Sequence, residues 1–205
     1  MMEYAVFVEG LDQLTDIASL SDKIRLKAVQ AINKIARDGR SSIAIRMEHE
    51  INFPPGYLAP AKKRLYVKEQ ATRSSLEAVI AATGRPTSLA RFVQGNPRPS
   101  APGGVTVRVG NKTKHLKRAF LMRLRSGNND ISDNRFNLGL AVRLKPGETL
   151  TNKRFSRRID SGLYLLYGPS VDQVFLGREG SGVAADQAPD LAEKLENEFL
   201  RLMEL

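Results

Sequence analysis

Cysteine and tryptophan are absent from these 205 residues, histidine occurs twice, and aromatic side chains make up only 6%. Without thiols there are no disulfides, no thiolate nucleophile and no sulfur-ligated zinc. Such a chain gains nothing from an oxidising compartment, which points to assembly in a reducing cytosol. No run approaches the roughly 18 apolar residues of a membrane-spanning helix. The opening MMEYAVFVEGLDQL also lacks the basic flank and long apolar stretch of a secretory signal. A soluble protein with no membrane partner is expected. Hydrophobic residues reach 41% with few aromatics, so the core has to be aliphatic.

The scarcity extends to chemistry. His49, in MEHEI, has Glu48 and Glu50 beside it in sequence, so these project in other directions; no HExxH pattern forms, and the residue reads as a helix-end histidine. His115, between Lys114 and Leu116, reads as a solvated strand residue, with phosphate contact as the alternative. The glycines of GREGSG, residues 177–182, have no GK[ST] and no Rossmann unit around them, so they read as a linker. Asp130, Asp133 and Asp160 lack calcium-loop spacing, and Glu193, Glu196 and Glu198 read as the solvated face of a helix. The expectation is no catalytic residue, no metal site, no cofactor and no enzymatic activity.

Charge is plentiful and unevenly placed. The net charge is +10, yet residues 62–125 hold fifteen Lys or Arg and only two acids, Glu69 and Glu77, a surplus of thirteen. The segment from Glu179 onward has seven acids against two cations. A basic middle and an acidic end attract a polyanion or the opposite pole of a neighbouring copy. Lys62, Lys63, Arg64, Lys112, Lys114, Lys117 and Arg118 form the candidate basic patch for a protein partner or DNA. No helix-turn-helix, RNP motif or interleaved stacking aromatic accompanies them, so any DNA contact is expected to be nonspecific, for instance with a genome end.

Residues 4–8, YAVFV, read as a strand, and Leu11, Leu14, Ile17 and Ala18 as a short helix. Ser19 to Asp22 fits a capping box. Behind it Ile24, Ala28, Ala31, Ile32, Ile35, Ala36, Ile43 and Met47 predict one long amphipathic helix over about residues 21–50, where Gly39 would let another backbone approach. Asn52-Phe53-Pro54-Pro55-Gly56 ends it. Residues 64–70 and 75–83 read as two strands, and 88–93 as a short turn or helical segment. QGNPRPSAPGG, residues 94–104, is a Pro/Gly-rich loop and a candidate assembly arm. GVTVRVG, KHLKRAFLMRLR, RFNLGLAVRL and LYLLYGPS supply further strands, with NKT and KPGE as turns and residues 126–134 and 151–161 as loops. Pro189 suits a first helical position and opens a C-terminal helix bearing Leu191, Leu195, Phe199 and Leu202 on one face. The fold class is α+β: an antiparallel sheet core packed by one long N-terminal amphipathic helix and a C-terminal helix, in a single domain over residues 1–205.

Several blocks, in this order, carry a family resemblance: AINKIARDGRSSI in the long helix, SSLEAVIAATGRPTSLARF, GVTVRV with its downstream AFL, LYLLYGPSVDQVF, and the acidic C-terminal helix. In these the chain resembles the minor tail protein Z family, the tail-completion or neck proteins of long-tailed bacteriophages. The resemblance implies a structural virion protein that completes the tail and helps join it to the head, within a ring of sixfold symmetry. Its implied neighbours are copies of itself, a tail terminator or tail tube, and the head-tail connector. It implies a place in the virion tail or neck after assembly in the host cytoplasm, and no catalytic residue.

Within LYLLYGPSVDQVF, Leu163, Leu165 and Tyr167 alternate with Tyr164 and Leu166, so the strand is expected to be covered on both faces. Gly168, Pro169 and Ser170 then read as a structural hinge that stops the strand, with Gly168 allowing an unusual φ and Pro169 setting the bend.

Overall fold

The apolar period of residues 21–50 yields a helix of the expected length. In a computed structural model, which describes residues 21–124, 132–133, 136–150, 155–177 and 182–203, α1 spans Asp22–Ile51. Its cap is the Ser21 hydroxyl, which accepts a hydrogen bond from the Ile24 N–H at 3.4 Å. Ser19, the strand at 4–8 and the short helix after it lie outside the described residues. The helix stops where Asn52 takes a left-handed conformation, φ 61°, ahead of the two prolines.

The remaining elements are β1 (Leu65–Glu69), β2 (Val79–Ala82), β3 (Pro86–Ser88), β4 (Val105–Val109), β5 (Lys112–Leu116), β6 (Ala119–Leu124), β7 (Ser132–Asp133), β8 (Phe136–Arg143), β9 (Ser156–Asp160), β10 (Leu163–Ser170), α2 (Val171–Leu176) and α3 (Val183–Met203). The fold is α+β with antiparallel strand pairing throughout the described residues. In place of one sheet the described residues form three: β1-β2, β4-β5, and a six-stranded sheet of order β3-β10-β8-β6 with β7 on β8 and β9 on β10. By its contacts the chain divides into two compact units. Unit 1 comprises residues 1–47, 56–84 and 171–205, and unit 2 residues 48–55 and 85–170.

In unit 1, α3 packs antiparallel on α1: Lys34 Nζ donates to Glu198 Oε2 at 2.9 Å, while Arg46, later on α1, reaches Asp186, earlier on α3, at 3.2 Å. Gly39 makes the close approach possible, although its neighbour is the Leu191 side chain and not a backbone. Asn33 acts as a strand-like partner, its amide donating to the Ala71 carbonyl at 2.9 Å and accepting from the Ala71 N–H at 2.8 Å. The buried Arg40 donates through Nε to the Leu65 carbonyl at 2.9 Å, fastening β1 to the helix.

Two expectations about α3 are corrected. Pro189 lies inside the helix, because Gly182 O already accepts from the Asp186 N–H and Val183 and Ala184 gain burial. The missing N–H forfeits one helical bond there. Glu198 is buried and belongs to no solvated face; Arg201 and Lys34 both bond it.

In unit 2, β10 is covered on both faces, as its alternation requires. Leu163 and Leu165 join Leu124 and Ala141, with Phe120, Met122 and Tyr167 packed alongside. On the other face Leu140, Leu121 and Ala119 meet Val105 and Val107 of the β4-β5 hairpin, with Leu166 and Leu89 at the margin. The hairpin turns at Gly110-Asn111, one residue earlier than the NKT reading, and Gly110 N–H and O bind Ile51 O and the Asn52 amide. Residues 151–161, read as a loop, contain β9, whose polar residues pair with β10. The segment KHLKRAFLMRLR is divided between β5, a turn at Lys117-Arg118, and β6.

Candidate functional site

Charge follows the division of the chain. Unit 2 holds seventeen Lys or Arg and six Asp or Glu, a surplus of eleven cations, whereas unit 1 holds fifteen against sixteen. The whole positive excess of the protein thus belongs to unit 2. Lys62, Lys63 and Arg64 fall in unit 1 and the other four patch residues in unit 2, so the seven residues do not form one cluster within a unit. Lys62 and Lys63 are exposed, with Lys63 in a left-handed conformation at the end of the 3₁₀ turn Pro60–Lys62. Arg64 stacks over the Tyr57 ring at 4.1 Å, an intramolecular cation–π contact.

The hairpin residues do come together. Lys112 and Lys114 lie on one face of β5, opposite Val109 and Val107 of β4, and Lys117 and Arg118 form the turn into β6. All four are exposed. Arg118 is neutralised locally: its Nη1 donates to Glu148 Oε1 at 2.9 Å. That hydrogen bond, with a second from the Lys145 N–H at 2.8 Å, holds the Glu148 carboxyl down to about 2. Lys112, Lys114 and Lys117 have no acidic partner among the described residues. Glu148 was not singled out by sequence reasoning; its place in the KPGE turn carried no sign of its partner.

Between the hairpin and the sheet of unit 2 runs an open groove of about 520 Å³. Leu89, Val107, Leu116, Val142, Leu150, Phe155, Leu166 and Tyr167 give it an apolar floor and walls, and Lys114, Lys117 and Arg118 stand at its rim. A smaller hollow of about 370 Å³ lies where residues Ser100 to Gly104 meet the Lys117-Arg118 turn. The Pro/Gly loop is accordingly tied down in unit 2. Ser100 N–H donates to Leu121 O at 2.7 Å, and Gln94 N–H to Thr106 O at 2.8 Å. Gly104, at φ +84°, passes so close that a Cβ would lie 2.7 Å from Lys117 Cα, so both conformation and space demand glycine. His115 adds a clamp: Nε2–H donates to Gly103 O at 3.1 Å, because a carbonyl can only accept, and Nδ1 pairs with the Thr106 hydroxyl at 3.0 Å.

Gly168, Pro169 and Ser170 are corrected in conformation. The strand does not stop before them: β10 runs through all three, with an irregularity between Tyr167 and Ser170 where it pairs with β3. Gly168 has no positive φ. Its requirement is space, since a Cβ would lie 3.1 Å from Phe92 Cε2 and 3.5 Å from Leu89 Cδ1. The strand ends at Ser170, and α2 begins at Val171, where unit 2 gives way to unit 1 in the sequence.

Elsewhere, no group of three or more His, Asp or Glu among the described residues is placed to hold a metal ion, and no described helix is long and apolar enough to cross a membrane. Comparisons with protein-family models, curated proteins and solved structures give no match for this chain.

Proposed function

We propose that this chain is a structural protein of the tail or neck of a long-tailed bacteriophage, which completes the tail and helps join it to the head as one subunit of an oligomeric ring. Its neighbours are copies of itself, a tail terminator or tail tube, and the head-tail connector. The observation that carries this reading is the concentration of the cationic surplus in unit 2, where free lysines border an open apolar groove. Long-range attraction orients an acidic macromolecular surface, and apolar contact then holds it, which is the chemistry of docking. The blocks that resemble the minor tail protein Z family also fall, in order, on the elements that build both units: α1, β2 to the 3₁₀ turn Leu89–Phe92, β4, β6, and β10 with α2. The test is a phage in which the gene is conditionally silenced. Filled heads and separate tails should accumulate, and the chain supplied in trans should restore infectious particles. Joined, infectious particles in its absence would refute the reading.

A second reading, nonspecific contact with DNA, draws on one feature: residues 78–129 contain ten Lys or Arg and no acid. Binding to duplex DNA would weaken linearly in log–log salt plots, with a slope of about −0.9 per phosphate engaged. Replacing Lys112, Lys114 and Lys117 by Gln would reduce that slope. Failure of DNA to bind at low ionic strength removes this reading and leaves the first intact.

A further inference from the structure

The groove of unit 2 combines a wide apolar floor with a cationic rim, and bare phosphate backbone would leave the floor unused. An acidic segment carrying large apolar side chains uses both. The acidic helix α3 already buries Leu191 and Leu195, whereas residues 1–20 hold Glu3, Glu9, Asp12 and Asp16, no Lys or Arg, and the apolar run Tyr4-Ala5-Val6-Phe7-Val8. We propose that residues 4–8 of one copy dock in the groove of unit 2 of a neighbouring copy, alongside β5, with Glu3 and Glu9 facing Lys112, Lys114 and Lys117.

Three observations favour this occupant. Charge is complementary: residues 1–20 carry four acids and no Lys or Arg, and the lysines have no acidic partner among the described residues. The lengths are compatible: Glu3 to Glu9 would span about 20 Å if extended, enough to run along β5, whose residues Lys112 to Leu116 cover about 13 Å at ~3.3 Å per residue. Among the described residues β5 pairs with β4 alone, which leaves its other edge open there. Lysines along an open edge discourage pairing with an arbitrary strand, while an acidic strand removes that obstacle and adds main-chain hydrogen bonds. The twenty-one residues ahead of α1 would reach up to about 69 Å if extended, enough to cross to an adjacent subunit. Because the segment and the groove are different surfaces, the contact is heterologous and closes only as a ring or continues as a filament.

The inference rests on the ring-subunit reading for its place in the particle, but its test needs only purified full-length protein. Two variants are compared with the wild type by sedimentation velocity across a concentration series at low salt. One is Glu3→Lys with Glu9→Lys, the other Lys112→Glu with Lys117→Glu. The wild type should self-associate, each variant alone at least about tenfold more weakly. An equimolar mixture of the two variants should regain association, because each supplies the surface the other has lost. A synthetic peptide of residues 1–20 should dissolve the wild-type assembly, and a scrambled peptide should not. Wild-type melting temperatures in both variants exclude unfolding as the cause. A monomeric wild type, unweakened association in either variant, or a mixture that stays dissociated overturns the proposal. The silenced-phage experiment is unaffected by any of these outcomes, so the two failures are told apart.

Discussion

Leu191 of α3 sits directly over Gly39 of α1, so close that a Cβ on residue 39 would lie 2.8 Å from Leu191 Cδ2. Leu191 is only 2% exposed and has little room to withdraw. Gly39 therefore costs α1 some helix propensity, about 1 kcal/mol against alanine, and recovers it through contact between the helices.

Gly39→Ala should lower stability by about 1 kcal/mol, because overpacking costs about 1–3 kcal/mol and exceeds the propensity gained. Thermal unfolding should show a Tm lower by about 3 °C. In a Leu191→Ala background the same change should become neutral or stabilising. If it is equally harmful there, Leu191 is not what excludes the methyl group.

Glu198 makes the α1–α3 contact sensitive to acid. Hydrogen bonds from Arg201 and Lys34 bring its carboxyl from an ordinary 4.5 down to about 2 in the folded state. The unfolded chain thus binds a proton at higher pH than the folded one, and the stabilisation is complete above about 4.5. It is lost as pH falls from there through about 2. Denaturant unfolding followed across that window should show a decline in the wild type that is shallower in Glu198→Gln. Identical slopes would show that Glu198 does not contribute to the acid limb.

Glu148 offers a similar readout at an exposed site. Its carboxyl should titrate at about 2, held down first by Arg118 and then by the Lys145 N–H. In Arg118→Met the titration should move back toward 4.5, as followed by carboxyl NMR shifts. No movement would mean that the 2.9 Å ion pair is absent in solution.

At Gly168 the prediction separates space from conformation. Since its φ is not positive, the backbone tolerates other residues, but Phe92 does not. Gly168→Val should destabilise by about 1–3 kcal/mol, and Phe92→Leu in the same chain should relieve part of the loss. Equal cost with and without Phe92→Leu would point back to the backbone.

Where side chains alone define an element, the sequence predicts it. The 3.6-residue period from Ile24 to Met47 gives α1, and the alternation in GVTVRVG and LYLLY gives β4 and the covered strand β10. Elements defined by backbone partners were not legible. β9 is almost wholly exposed and polar, and exists because β10 offers it a ladder; β3 has three residues, one of them Pro86. The candidate site was half visible. Lys112, Lys114, Lys117 and Arg118 stand out as a charge cluster, but the groove floor draws Leu89, Val142 and Leu166 from distant stretches, and Glu148 silences Arg118 from thirty residues away. Glu198 reads as a surface acid until Lys34, far off in sequence, is seen beside it.

The central claim is that this chain is a built-in part of the tail or neck of a phage particle. Purified virions labelled with an antibody against the chain and imaged by negative stain test it most directly. The account predicts label at the junction of head and tail, in every particle and at constant stoichiometry; mature particles that carry none of the polypeptide would contradict it.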